Sequence, residues 1–179
     1  MTITRCTESH LATLLPVAKQ SFIEAFEKDS DPENFQLYVA KAFTEAAMLE
    51  ELRHAQSVFY SLNTQRSDGH TEGGDMTGYV KMRWDRSEEF FPNGERALEL
   101  QRIYLLEKYW NQGLGKVLLD FSENYAREQG FEWIYLVVWL ENHGAIRFYE
   151  RNGWEKFARK QFQFGNEIHH DFVLRKRVN

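Results

Sequence analysis

From Leu11, apolar residues recur at helical spacing. Leu14, Leu15, Ala18, Phe22, Ala25 and Phe26 follow at i+3, i+4, i+7, i+11, i+14 and i+15. This stripe predicts an amphipathic helix over 11–26, after a short strand at 2–6. Pro32 suits the first turn of a second helical region with Asp31 as its cap, and Thr44 caps a further piece before Met48, Leu49 and Leu52. Period-two and apolar runs predict strands at 58–62 and 77–84, joined by a long polar hairpin loop over 63–75 that contains His70. A polar connection over 85–96 turns at Pro92-Asn93-Gly94. The pattern then gives a strand at 97–106, a tight polar turn, and a helix whose apolar residues are Leu114, Val117, Leu118, Phe121 and Tyr125, ending at Gly130. Residues 133–139 are almost continuously apolar, the mark of a strand buried on both faces. One strand-helix unit separates them from 97–106, so the two strands are expected to lie parallel and adjacent through a right-handed crossover. A short helix opens at Asn142 and stops before Gly153. A terminal hairpin, 154–164 with 170–178, turns at Gly165-Asn166. The sum is an α+β layout: a mixed, mostly antiparallel sheet with one central parallel pair and about four helices, in a single domain over 1–179.

The strand-turn-helix at 97–119 is the stretch with chemical potential. Gly113 and Gly115 sit at a helix N-terminus, where bare N–H groups and missing Cβ atoms suit a phosphate or pyrophosphate. By itself the pattern is equally compatible with a plain tight turn. Composition narrows the choices. A formal charge of −5 in 179 residues argues against general nucleic-acid binding, which calls for a basic stripe. The single Cys6 excludes an intramolecular disulfide and a cysteine-rich zinc site. No signal pattern or membrane-length apolar run appears, so a cytoplasmic protein without membrane association is expected. Between residues 24 and 33, Glu24, Glu27, Asp29, Asp31 and Glu33 are opposed only by Lys28, which reads as a solvated edge or as a rim attracting a cation.

Two stretches together resemble the GNAT superfamily of acyl-CoA-dependent N-acetyltransferases. Asn111-Gln112-Gly113-Leu114-Gly115-Lys116 matches that family's pyrophosphate turn. Its Asn-x-x-Ala-x-x-Phe-Tyr-x-x-x-Gly-aromatic stretch matches Asn142 to Trp154, with Ala145, Phe148, Tyr149 and Gly153 in register. The likeness covers the whole chain. The chain is most similar to the bacterial PaiA-type polyamine (spermidine/spermine) N-acetyltransferases, through Asp31-Pro32-Glu33-Asn34, Ala42-Phe43-Thr44, Gly78-Tyr79-Val80-Lys81, Arg102-Ile103-Tyr104, Gly165-Asn166-Glu167 and Asp171. Two positions depart from the pattern. Trp110 stands three residues before the first turn glycine, where Gln or Arg is usual. Gln101 stands where many relatives have Glu, and Glu99 lies two residues earlier on the same strand face.

The resemblance implies a GNAT-like fold with a splayed parallel strand pair, and acetyl transfer from acetyl-CoA, a cosubstrate, to a primary amine, a polyamine foremost. A protein N-terminal or lysine acetyltransferase, or a non-catalytic acetyl-CoA-binding regulatory module, are the alternatives. It also implies a pantetheine arm paired with main-chain groups at Ile103 and Leu105, a pyrophosphate on Asn111, Gln112, Gly113, Leu114, Gly115 and Lys116, and further cofactor contacts at Asn142 and Tyr149. Tyr149 becomes the group that protonates or hydrogen-bonds the departing thiolate. Glu99 is the first candidate base, with Glu141 or a water as the others. No metal is called for, the partners are CoA and a small amine rather than nucleic acid, and a homodimer is compatible with the sequence.

Overall fold

The computed structural model describes residues 1–64, 74–164 and 167–179. The His70 loop expected over 63–75 and the Gly165-Asn166 turn therefore fall largely outside the described residues. The element order is β1 (Thr2–Cys6), α1 (Leu11–Phe26), α2 (Pro32–Ala42), α3 (Glu45–Arg53), β2 (Ser57–Thr64), β3 (Asp75–Arg83), β4 (Ala97–Leu105), α4 (Leu114–Glu128), β5 (Trp133–Trp139), α5 (His143–Arg151), β6 (Glu155–Phe164) and β7 (Glu167–Arg177). Among the described residues there are five α-helices, the second helical region contributing two. The second helical region breaks at Phe43-Thr44, where the Thr44 hydroxyl caps α3 by accepting from the Ala47 N–H. The strands form one mixed sheet in the order β1-β2-β3-β4-β5-β7-β6, and β4 and β5 are its parallel pair.

The chain divides into two compact units, residues 1–82 with 102–120 and residues 83–101 with 121–179; β4 and α4 each contribute to both. In the first unit the periodicity of α1 does what the sequence predicts: Leu14 and Ala18 are fully buried. Phe22 stands at the centre of an aromatic group, its ring 4.9–6.2 Å from those of Phe26, Phe35, Tyr38, Phe43 and Tyr104. Such ring pairs add to plain area burial.

Beside this group lies a cluster of charges that no periodicity reveals. Glu51 of α3 receives both arms of the Arg102 guanidinium, at 2.7 and 2.9 Å, and the Lys81 ammonium at 3.1 Å. Only 4% of the Lys81 side chain and 13% of that of Arg102 meet solvent. Burial works to raise the Glu51 carboxyl, but the charges of Arg102 and Lys81 outweigh it and hold the group below its ordinary range. Arg102 also lies over the Phe43 ring and Lys81 over that of Phe59. The cluster ties α3 to β3 and β4. Removing one partner of such a buried set costs about 3–5 kcal/mol, because it leaves buried charge uncompensated.

In the second unit β5 pairs with β7 along its whole length, and Phe91, Ala97, Tyr135 and Val173 form the core on one face. Glu123 of α4 is buried. One of its oxygens accepts from the Trp154 indole at 2.9 Å and the other from Lys176 at 2.6 Å. This pins the chain after α5, and hence α5 itself, to α4 and β7.

Two outcomes are expected. A Cβ on Gly78 would lie 2.3 Å from the Tyr104 carbonyl oxygen and 2.5 Å from Leu105 Cδ2, so Gly78→Ala forces β4 away from β3. Overpacking of this kind should cost about 1–3 kcal/mol, read from the urea midpoint. The Tyr79 hydroxyl is buried close to Arg102, and burial, opposed in part by that charge, pushes its phenol up to about 12. In the unfolded chain this tyrosine ionises near pH 10. Its protonated form therefore contributes stability that is complete below pH 10 and declines as pH rises to about 12. Urea unfolding at pH 9 and 11 should show a smaller loss for Tyr79→Phe than for the parent.

Candidate active site

The turn after β4 is built by a chain of local hydrogen bonds. A single 3-10 turn over Glu107–Tyr109 is closed by Tyr109 N–H to Leu106 O (2.8 Å) and Trp110 N–H to Glu107 O (2.9 Å). The Glu107 N–H donates to Glu24 Oε2 at 2.6 Å, and the Gln112 side-chain amide donates to the Lys108 carbonyl at 2.9 Å. Asn111 and Gly113 both take positive φ, 58° and 79°. For Gly113 this conformation is free of steric cost, and Asn is the non-glycine residue that best tolerates it. The Gly113 carbonyl accepts from Lys116 N–H (3.0 Å) and Val117 N–H (3.3 Å). The N–H groups of Gly113, Leu114 and Gly115 precede the first intrahelical bonds of α4, so they point out of its N-terminus. Residues 111–113 are exposed, and Lys116 pairs with Asp120 one turn on. The turn is thus an exposed array of donors at the positive end of a helix dipole.

The strand leading into it has an unsatisfied edge. Pairing between β4 and β5 covers only Ala97↔Trp133, Leu98↔Ile134 and Glu99↔Tyr135, whereas β4 continues to Leu105. The Leu106 N–H donates to Thr77 O at 2.9 Å. By strand alternation the N–H and C=O of Leu105 and Ile103 turn to the opposite side, away from β3. The Leu105 carbonyl is met there by the Trp110 indole N–H, at 2.8 Å.

In the second unit Asn142 is the N-cap of α5: its side-chain oxygen accepts from Ala145 N–H at 3.1 Å. Ile146, which the sequence reading did not single out, is buried with Tyr149 on the inner side of this helix. Tyr149 is 7% exposed, with its ring 5.3 Å from Phe148 and 5.6 Å from Trp154. Burial pushes its phenol far above the ordinary tyrosine value, so the hydroxyl keeps its proton throughout the neutral range and can only be a donor-capable acid there.

Glu99, the first candidate base, is largely enclosed. Only 14% of its side chain meets solvent, and one oxygen lies 3.9 Å from Arg83 Nε. The Arg83 fork is taken bidentately by Asp85, which leaves Glu99 the longer contact. Tyr135, its register partner on β5, is pushed well up by burial and then by the Glu99 charge. Gln101, on the same strand face, has a buried side-chain oxygen without a partner. Glu141 is exposed, 3.5 Å from His143 Nε2. The sequence signal that would have found Arg83 and Asp85 beside Glu99 is absent, since they come from the end of β3 and the connection after it. Among the described residues no group of three or more His, Cys, Asp or Glu side chains is placed to hold a metal ion, and no helix is long and apolar enough to cross a membrane.

Comparison with known proteins bears on both stretches. Residues 19–154 match the model of the acetyltransferase (GNAT) family. The chain is 32% identical to an uncharacterised N-acetyltransferase encoded in the pepI 3′ region of Lactobacillus delbrueckii subsp. lactis, over 97% of this chain and 95% of that one. Its fold is similar to the crystal structure of PaiA N-acetyltransferase from Thermoplasma acidophilum in complex with coenzyme A, with a TM-score of 0.72 and 20% identity over 99% of both chains. It is likewise similar to Arabidopsis thaliana NAA60 in complex with acetyl-CoA, with a TM-score of 0.66 and 16% identity over 99% of this chain and 98% of that one. With a family match over most of its length and a relative of this identity covering nearly all of it, the chain belongs to the GNAT family of acetyltransferases.

Proposed function

We propose that this acetyltransferase moves the acetyl group of acetyl-CoA onto a primary amine, and that its acceptor is a polyamine such as spermidine or spermine. The observation that carries the donor half is the open β4 edge running directly into an exposed turn of helix N-terminal N–H groups. An extended arm bearing amides suits the edge at Ile103 and Leu105, and a pyrophosphate suits the donors of Asn111 to Lys116. The acceptor half is supported by the fold's likeness to PaiA N-acetyltransferase and by the exposed carboxylates of Glu27, Asp29, Asp31 and Glu33, opposed only by Lys28. Glu24 and Asp31 also serve the fold, as acceptor for Glu107 N–H and as cap of α2.

In this reading the amine nitrogen attacks the thioester carbonyl carbon, the C–S bond breaks, and the sulfur leaves as a thiolate. An alkyl ammonium with a pKa of about 10 must first lose a proton. Glu99 takes it, directly or through a water, and Glu141 is the second candidate. Tyr149, held protonated by its burial, hydrogen-bonds or protonates the departing thiolate. A main-chain N–H of β4 polarises the thioester carbonyl. Asn142 contributes by fixing the first turn of the helix that carries Tyr149.

Two measurements test this. A thiol-release assay across spermidine, spermine, a monoamine, N-terminal peptides and a lysine peptide should give its highest kcat/KM with a polyamine. Turnover of the peptides alone would assign a protein acceptor, and tight CoA binding without turnover of any amine would assign a regulatory module. Tyr149→Phe should lower kcat about 100-fold or more with CoA affinity little changed, as loss of a positioned acid does. Unchanged turnover would remove Tyr149 from that role.

A further inference from the structure

Trp110 stands where the family pattern has Gln or Arg, on the turn that leads into α4. Its ring is more than a third exposed, yet its one polar atom is committed: the indole N–H donates to the Leu105 carbonyl at 2.8 Å. The bond closes five residues of chain into a loop, whose inner turn is already fixed by Tyr109 N–H to Leu106 O and Trp110 N–H to Glu107 O. From the β3 side Gly78 packs against the preceding peptide, leaving no room for a Cβ beside the Tyr104 carbonyl and Leu105. The last residue of β4 is therefore held on both flanks, and only one of its two main-chain groups is committed from the open side.

We propose that Trp110 is a positioning residue for the pantetheine arm, which acts through Leu105 and fixes the register of the arm on β4. The inference rests on the acetyl-CoA reading above. A free carbonyl at Leu105 would compete with that of Ile103 for an amide N–H of the incoming arm, and the two pairings would differ by a slip of two residues along the strand. With the indole on the Leu105 carbonyl, Leu105 offers its N–H alone and Ile103 offers the acceptor. A single register follows, and with it one distance between the thioester and the pyrophosphate turn. The same bond couples the orientation of the Leu105 peptide to the turn, so the two parts of the donor site are preorganised together.

The test compares the parent with Trp110→Phe, which keeps an aromatic ring and removes the donor. Calorimetric affinities are measured for CoA and for adenosine 3′,5′-bisphosphate, a fragment that lacks the arm, alongside KM and kcat with acetyl-CoA. Trp110→Phe should lower kcat/KM for acetyl-CoA about five- to twentyfold, with kcat falling as the arm populates the slipped register, and leave the affinity for the fragment within twofold. Trp110→His, which retains a ring N–H, should recover part of the loss. A merely structural role would lower the melting temperature and weaken both ligands together. Unchanged kcat/KM for acetyl-CoA in Trp110→Phe overturns the proposal, and so does an equal loss of affinity for CoA and the fragment, which would place Trp110 in phosphate binding alone. If Trp110→Phe does not fold, the comparison of parent with Trp110→His decides by the same readouts. A parent that binds no CoA overturns the acetyl-CoA reading itself, a result distinct from each of these.

Discussion

A β-strand that outruns its neighbour leaves main-chain donors and acceptors unpaired, and the rest of this structure depends on where that happens. β4 keeps β5 as a partner for three residues and then continues to Leu105 without it. Unpaired strand edges are a hazard that proteins keep short or cover. Here the exposed length is short and ends in a tightly bonded turn, with the Trp110 indole on the last carbonyl. What remains is a rigid edge with a few unsatisfied groups, a surface ready for a ligand with peptide-like amides.

Rigidity at that edge is secured from below by charge as well as by packing. Arg102 precedes Ile103 in β4, and its bidentate bond to Glu51, shared with Lys81, fixes the strand against α3. One carboxylate between two buried cations is a costly arrangement in isolation. Its value lies in geometry: a planar fork on a carboxylate admits few alternatives, so the Arg102 guanidinium ties β4 to α3 in a defined orientation. In the second unit Glu123 does comparable work, joining Trp154 and Lys176 and thereby holding the end of α5.

The two candidate proton-transfer groups lie in contrasting surroundings. Tyr149 is surrounded by rings and its shift comes from burial alone, an environment that keeps a phenol protonated. Glu99 is largely enclosed by polar neighbours, with Arg83 and Tyr135 close by and Asp85 competing for the same guanidinium. Environments that treat two titratable groups so differently are how a site separates an acid from a base.

Helix and strand positions were legible in the sequence because both are local. The apolar stripe from Leu11 to Phe26, the continuous run at 133–139 and the caps at Asp31, Thr44 and Asn142 each depend on residues within a turn or two of chain. The glycines and Asn142 marked the tight turn before α4 and the capped helix that the structure contains, and the family rests on the match over residues 19–154 and on the relative of 32% identity. The break of the second helical region was legible too, because the Thr44 cap that starts α3 is a local signal. Tertiary structure alone decided which side chains share an environment. Glu51 meets Arg102 across 51 residues, and Arg83 approaches Glu99 across sixteen. Even the five-residue link from Trp110 to Leu105 depends on a turn whose dihedral angles no spacing encodes. Periodicity reports which face of an element is buried; the partner that a charge or an indole finds there depends on distances that exist only once the chain has closed on itself.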